Sequence, residues 1–436
     1  MRLAHLRAVV PICVPVLLVA CGGAPSGAVS SSSASISVSS TSPVASAPAA
    51  SKPSPAASAA VTASKPAASA PAASVSAKPA ASGAASPAAS GGAAAAPSAP
   101  AFGPAVTSGG KKIALLLPES KTARYESKDR PLFEARVKAD CTDCQILYSN
   151  ANQDASQQQS QAEAALTNGA NVLVLDAVDA ASAGAIVTRA TQQKVPVVSY
   201  DRLVTGAGGL SYYISFDNAK VGQLQGTSLL QALSGKANPQ IVMINGAPTD
   251  NNAKLFKQGA HSVLDGKVTV AKEYDTPDWS PDQAQNEMSQ ALTALNNKVD
   301  GVYAANDGTA GGAIAAMKAA GLSPLPPVTG QDAELAAIQR IVIGEQYMTV
   351  YKAIKPEAEI AADLAVYLVA NKPVPSNLTN GATTNNSKQD VPSVLLAPVA
   401  VTKSNIAATV VADGFWTKAD ICTGPVASAC ASAGLS

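Results

Sequence analysis

Carboxylates, amides and cations recur in this chain at the points where apolar runs stop. VPVVSYDR ends in Asp201 and Arg202, and QIVMING is followed by Asp250, Asn251 and Asn252. DGVYAAND ends in Asn306 and Asp307, PVTGQD in Asp332 and QYMTVYK in Lys352, while Arg124 and Tyr125 follow KKIALLLP. Apolar runs of this length read as strands, and in an open α/β sheet ligands sit outside the carboxyl ends of parallel strands. Asp accepts hydrogen bonds, Arg and Lys donate them and Asn does both, so the set suits a neutral ligand rich in hydroxyl groups. Charge-assisted bonds of this kind contribute about 1.5–3 kcal/mol each. Tyr125 and Trp279, the latter in the loop TPDWSP, could cover the apolar C–H face of such a ligand. Taken singly, Asp and Asn at these places are as well explained as helix caps, and a lone Trp as core. Trp416 reads as the structural one of the two tryptophans. Two carboxylates across a cleft could also serve glycoside hydrolysis. The neighbouring Arg202, Asn306 and Lys352 instead favour ionised carboxylates that act as acceptors.

The elements that must hold these residues alternate. After the strand at Lys111, helical character spans roughly 128–138, QILYSN is strand-like, 156–168 is helical and NVLVLDAV is a strand ending at Asp176. A helix over 180–193 leads into VPVVSYDR, and a Gly-rich turn leads to YYISF. Alternation of this kind predicts a doubly wound parallel sheet. Asp217 and Asn218 start a helix, and the pattern then restarts: strands at QIVMING, VTVAKEYD, DGVYAAND and PVTGQD alternate with helices to about Leu233 and over 252–264, 281–296 and 309–320. The restart predicts two similar lobes. QYMTVYK, the helix after Pro356 and LLAPVAV come last, so the lobes are expected to be discontinuous in sequence.

The folded part is preceded by a different kind of sequence. Arg2, Arg7 and an apolar segment from Val9 to Ala20 read as an export signal over residues 1–20. Leu18-Val19-Ala20-Cys21, followed by glycines, resembles a bacterial lipobox, with Cys21 as the lipidated residue. Residues 21–110, mostly Ala, Ser, Pro and Gly, have too few large apolar side chains to offset ordering entropy and read as a disordered tether. The 31 basic and 30 acidic residues of the 436-residue chain leave no basic footprint for nucleic acid. Beyond Cys13 and Cys21, four cysteines remain. They lie in two local pairs, Cys141 with Cys144 and Cys422 with Cys430, and an exported chain permits disulfides. Zinc is the rival reading, but His5 and His261 are the only histidines.

In order and spacing, YDR, YISFDNAKVGQLQ, DNNAKLF, NDGTAGGAI, GQDAEL and MTVYK resemble the xylose-binding branch of the type I periplasmic sugar-binding proteins. The similarity runs from Lys111 to about Trp416. It implies an α/β fold of two Rossmann-like lobes with parallel sheets joined by a three-strand hinge. The first lobe would comprise 111–217 with about 352–396, and the second 218–351 with about 397–436. The resemblance further implies that a monosaccharide, D-xylose first, is held between the lobes by Asp201, Arg202, Asp250, Asn251, Asn252, Asn306, Asp332 and Lys352, with Trp279 stacking. Arg124 and Tyr125 are the expected contacts from the first loop, PESKTARYESKDR, which departs from the family in length and in having Tyr125 where a tryptophan is expected. No cofactor and no catalysis are implied. The expected partners are the sugar, an ABC permease with its ATPase, and the extracytoplasmic face of the membrane through the lipid, with the protein itself a monomer. A chemotaxis or sensor-kinase receptor is the alternative to uptake, and a glycoside-processing enzyme is a weaker one.

Overall fold

The structure, a computed structural model, describes residues 103, 105–379 and 381–435. The expected signal segment, Cys21 and nearly all of the tether lie outside the described residues. The last part of the stretch read as tether is structured: Val106 bridges to Cys141, and its N–H donates to the Asp140 carbonyl. The folded part therefore extends before Lys111, with Ser108, Gly109 and Gly110 donating to Asp143 of the 141–144 loop.

The chain first lays down β1 (Lys112–Leu117), α1 (Arg130–Asp140), β2 (Gln145–Asn150), α2 (Ala155–Thr167), β3 (Ala170–Leu175), α3 (Gly184–Gln192), β4 (Val197–Tyr200) and β5 (Leu210–Phe216). It crosses at Asp217 and continues with α4 (Asn218–Ala232), β6 (Gln240–Asn245), α5 (Asn251–Leu264), β7 (Thr269–Asp275), α6 (Pro281–Ala294), β8 (Gly301–Ala304), α7 (Asp307–Ala319), α8 (Leu335–Ile343) and β9 (Met348–Tyr351). It then returns through α9 (Ile354–Val369), β10 (Thr383–Asn385) and β11 (Asp390–Leu396), and crosses again to β12 (Val399–Thr402).

The first sheet has the order β10-β11-β5-β4-β3-β1-β2 and is parallel except for the β10–β11 pair. Helices cover both faces, so its strands are apolar on both sides and alternate in which core they feed. Ile113, Leu115 and Leu117 join one cluster, which includes α9, while Ala114 and Leu116 join the other, with α2 and α3. In the second lobe β7-β6-β8 is parallel, with Ile241 and Met243 facing α4 and α5, and Val242 and Ile244 facing α6 and α7. α4 and α5 approach so closely that a Cβ on Gly222 would lie 1.9 Å from the Phe256 carbonyl oxygen.

The strand expected at PVTGQD is reduced to single bridges, Val302–Val328 and Gln331–Val350. Asp332 and Ala333, at φ 92° and 50°, turn the chain away before a ladder can form. These bridges link β8 to the antiparallel pair β9–β12. The backbone passes between the lobes three times, at 216–218, 351–354 and 396–399. Cys141–Cys144 and Cys422–Cys430 are disulfide-bonded. Among the described residues no helix is long and apolar enough to cross a membrane.

Candidate ligand-binding cavity

The carboxyl ends of the two parallel sheets face each other, and their end residues close around one small cavity. Its walls are Thr122, Arg124, Tyr125, Asp201, Arg202, Asp250, Asn252, Phe256, Trp279, Asn306, Gln331, Asp332 and Lys352.

From the first lobe, β4 delivers Asp201 in the left-handed conformation, φ 50°, an arrangement uncommon outside glycine that aims its carboxylate into the cavity. Burial alone would raise the Asp201 carboxyl, but Arg124, Lys352, Arg202 and the Tyr125 hydroxyl bring it down to about 2. The Tyr125 hydroxyl donates to Asp201 Oδ2 at 3.0 Å. Arg124 Nε donates to Asp129 at 2.9 Å and Nη2 to Glu357 of α9 at 2.6 Å. Arg124 Nη1 lies 3.5 Å from Asp201 and has no hydrogen-bond partner in the protein. Arg202 is the hub of a buried anionic group: its Nε is 3.1 Å from Asp250 and 3.6 Å from Asp176, and its Nη2 is 3.6 Å from Glu119.

The second lobe answers with helix starts. Asp250 caps α5, accepting from the Asn252 N–H through Oδ1, while Oδ2 accepts from Trp279 Nε1 at 3.1 Å. Burial raises the Asp250 carboxyl and Arg202 opposes the rise. Asn306 caps α7, its Oδ1 accepting from the Thr309 N–H. The cap explanation for these residues and the ligand explanation therefore hold together, because a cap on a strand-to-helix turn is at the mouth of the sheet. Trp279 lies in a short 3₁₀ turn at φ 54°, against Phe256 with ring centroids 6.2 Å apart. A Cβ on Gly246 would come within 2.0 Å of the Trp279 ring, so only glycine leaves room for it. Lys352, at the second crossing, is 3.2 Å from Asp332 and 3.8 Å from Asp201. Burial would lower its ammonium, and the two carboxylates hold it above its ordinary value. Gln331 Oε1 is buried without a partner in the protein.

The lobes also touch directly. Asn252 Nδ2 donates to the Asp201 carbonyl at 3.0 Å, the Ala180 N–H to the Thr249 carbonyl at 3.0 Å, and Gln153 Nε2 to the Asp278 carbonyl at 3.1 Å. Three cations and three carboxylates thus line the wall in a nearly neutral, water-shielded setting. This arrangement binds hydroxyls and carries no excess charge for a phosphate or a carboxylate ligand.

Ten of the eleven sequence-selected residues line this one cavity. The exception is Asn251, which lies outside it, on a surface groove with Lys254 and Lys257. As the first residue of α5 it points about 100° away from Asn252. Sequence reading missed Thr122, Phe256 and Gln331. Phe256 stands one helical turn after Asn252, on the same face, and that spacing was a usable signal.

The periplasmic binding protein domain family matches residues 113–373, more than half of the chain. The chain belongs to this family. Its sequence is 41% identical over 325 residues to a D-xylose-binding periplasmic protein of Haemophilus influenzae, covering 73% of this chain and 95% of that one. It is 40% identical over 317 residues to the Escherichia coli protein of the same name, covering 71% and 92%. Among solved structures, an ABC transporter solute-binding protein from Clostridium phytofermentans with bound β-D-glucose superposes with a TM-score of 0.65 at 27% identity, covering 71% of this chain and 100% of that chain. The fold is that of the type I periplasmic binding proteins, as the motif resemblance implied. The family is one of binding proteins, not enzymes, in keeping with a cavity whose carboxylates are matched by cations.

Proposed function

We propose that this periplasmic binding protein holds a monosaccharide, D-xylose first, between its lobes and hands it to an ABC permease. The observation that carries the reading is the convergence of Arg124, Asp201, Arg202, Asp250, Asn252, Asn306, Asp332 and Lys352, from distant parts of the chain, on one small and nearly neutral cavity. The relatives named for D-xylose, at 41% and 40% identity, support that sugar as first choice. In this reading residues 111–217 with 352–396 and residues 218–351 with 397–436 rotate about the three crossings, and ligand bridging both lobes favours the closed form. A lipid on Cys21 would keep the protein at the extracytoplasmic membrane face, with residues 21–105 as the tether; two or more acyl chains hold stably.

Calorimetry of the full chain against D-xylose, D-glucose, D-ribose and D-galactose tests the ligand. Micromolar binding of xylose, about −8.2 kcal/mol, is the expected result. Binding of another aldose alone would move the substrate, and silence toward every monosaccharide would overturn the reading. Metabolic labelling with palmitate, lost in Cys21→Ser, tests the anchor.

A further inference from the structure

The C-terminal segment is absorbed by neither sheet, yet it holds the chain neighbours of two cavity residues. Tyr351, the residue before Lys352, donates its hydroxyl to Asp413 and packs its ring 5.1 Å from that of Phe415. Trp416 Nε1 donates at 2.8 Å to the carbonyl of Ala333, the residue after Asp332. The segment is itself fastened: Cys422 and Cys430 are disulfide-bonded, and Gln339 of α8 donates to the Asp420 and Ile421 carbonyls. Lys128, from the first lobe, reaches across to it. Its Nζ donates to the Phe415 carbonyl at 2.8 Å and stands 3.8 Å from the Trp416 ring centroid and 4.8 Å from that of Phe415. Leu132 of α1 packs on the same cluster.

We infer that Phe415 and Trp416 are positioning residues for the Lys352–Asp332 pair, and that Lys128 on their rings couples this positioning to lobe closure. The backbone around Asp332 requires such a brace, since Asp332 and Ala333 are both at positive φ and neither is glycine. A cation held over tryptophan is the strongest pairing of its class and gains when shielded from water. Closing the lobes would thus seat Lys128 and tighten the turn that aims Asp332.

The test uses the full chain, with Lys128→Met, which keeps the stem without the charge, and Trp416→Phe, which keeps a ring without the N–H donor. The sugar part rests on the monosaccharide reading, so a second readout needs no sugar: hydrogen–deuterium exchange of ligand-free protein over residues 330–335. Both variants are expected to exchange faster there and to release xylose about 3- to 10-fold faster, the size of a partly shielded cation–π contact. Lys128→Arg, which retains a cation over the ring, should restore both. Unchanged exchange in both variants would overturn the inference, as would faster exchange throughout the second lobe with no local excess, which signals plain destabilisation. If the wild type ignores all sugars but the 330–335 exchange still responds, the brace stands and only the ligand reading fails.

Discussion

Arg202 shows why a residue proposed to hold ligand cannot be judged by ligand alone. It neutralises Asp250, and stands beside Asp176 and Glu119, all buried. Removing one partner of a buried ion pair costs about 3–5 kcal/mol because the other charge is left uncompensated. Arg202→Ala is therefore expected to lower unfolding stability by that amount in urea titration as well as to abolish sugar binding in calorimetry. Loss of binding at unchanged stability would mean that water reaches the three acids. Gly246 isolates the binding role better. With a methyl group there, the Trp279 ring must leave its place and give up the hydrogen bond to Asp250. Gly246→Ala should weaken xylose affinity about tenfold or more, visible as a lost ligand-dependent change in tryptophan fluorescence. At this scale the sequence was informative where chemistry and chain geometry coincide. Asp201, Asp250, Asn306 and Asp332 terminate apolar runs and so must stand at the sheet mouth. Asn251 shares that neighbourhood in sequence but not in space, because consecutive helix positions diverge. Phe256 was signalled only by its spacing from Asn252, and Thr122 lies in the first loop, where its part in the wall depends on how that loop folds.

Among the elements, α9 has the least local reason to sit where it does, since it returns to the first lobe after the whole second lobe has been built. Its apolar side joins the first-lobe core through Ile360, Leu364 and Val366. Arg136 of α1 fixes it further, with Nε 2.8 Å from Asp363 and 2.6 Å from Asp140. Burial, and then a hydrogen bond shared with Asp140, push the Asp363 carboxyl up to about 8. The native state then keeps a proton that the unfolded chain gives up above about 3.9. Stability should accordingly decline as pH rises from about 4 to about 8. Asp363→Asn removes that titration, so its stability measured by denaturant across this range should be flatter than the wild type's. An identical slope would place the proton elsewhere. The return of α9 could be anticipated from its helical apolar spacing, but its partner could not, because Arg136 and Asp363 are 227 residues apart. The lost strand at PVTGQD has a similar cause: local apolar character favoured a ladder, and the turn demanded by Asp332 prevented it.

For the whole molecule, the proposed closure would link ligand to stability. Xylose at 100 times its Kd should add about 2.7 kcal/mol to unfolding stability, which a thermal melt of the full chain resolves as an upward shift. That gain should persist at neutral pH and fade in acid as Asp201, with its carboxyl near 2, is protonated. Asp201 contributes its stabilisation above the unfolded carboxyl value of about 3.9 and loses it as pH falls through about 2. A melting shift that disappears near pH 5 instead would point to a different carboxylate as the ligand's acceptor. The two-lobe plan was readable because the strand–helix pattern restarts after Asp217. The direct lobe-to-lobe bonds were not, since each ends on a backbone carbonyl, of Asp201, Thr249 or Asp278, that leaves no trace in side-chain type.

The loop closed by Cys141 and Cys144 gathers the stretch before β1: Asp143 accepts from the N–H groups of Ser108, Gly109 and Gly110. It therefore acts as a mooring. A pull applied through the preceding residues would be taken first by these bonds and by the covalent loop behind them, rather than by β1, which lies beside the edge strand β2 of the first sheet. Were the chain anchored through Cys21 as proposed, tension along it would meet this loop before it reached the cavity.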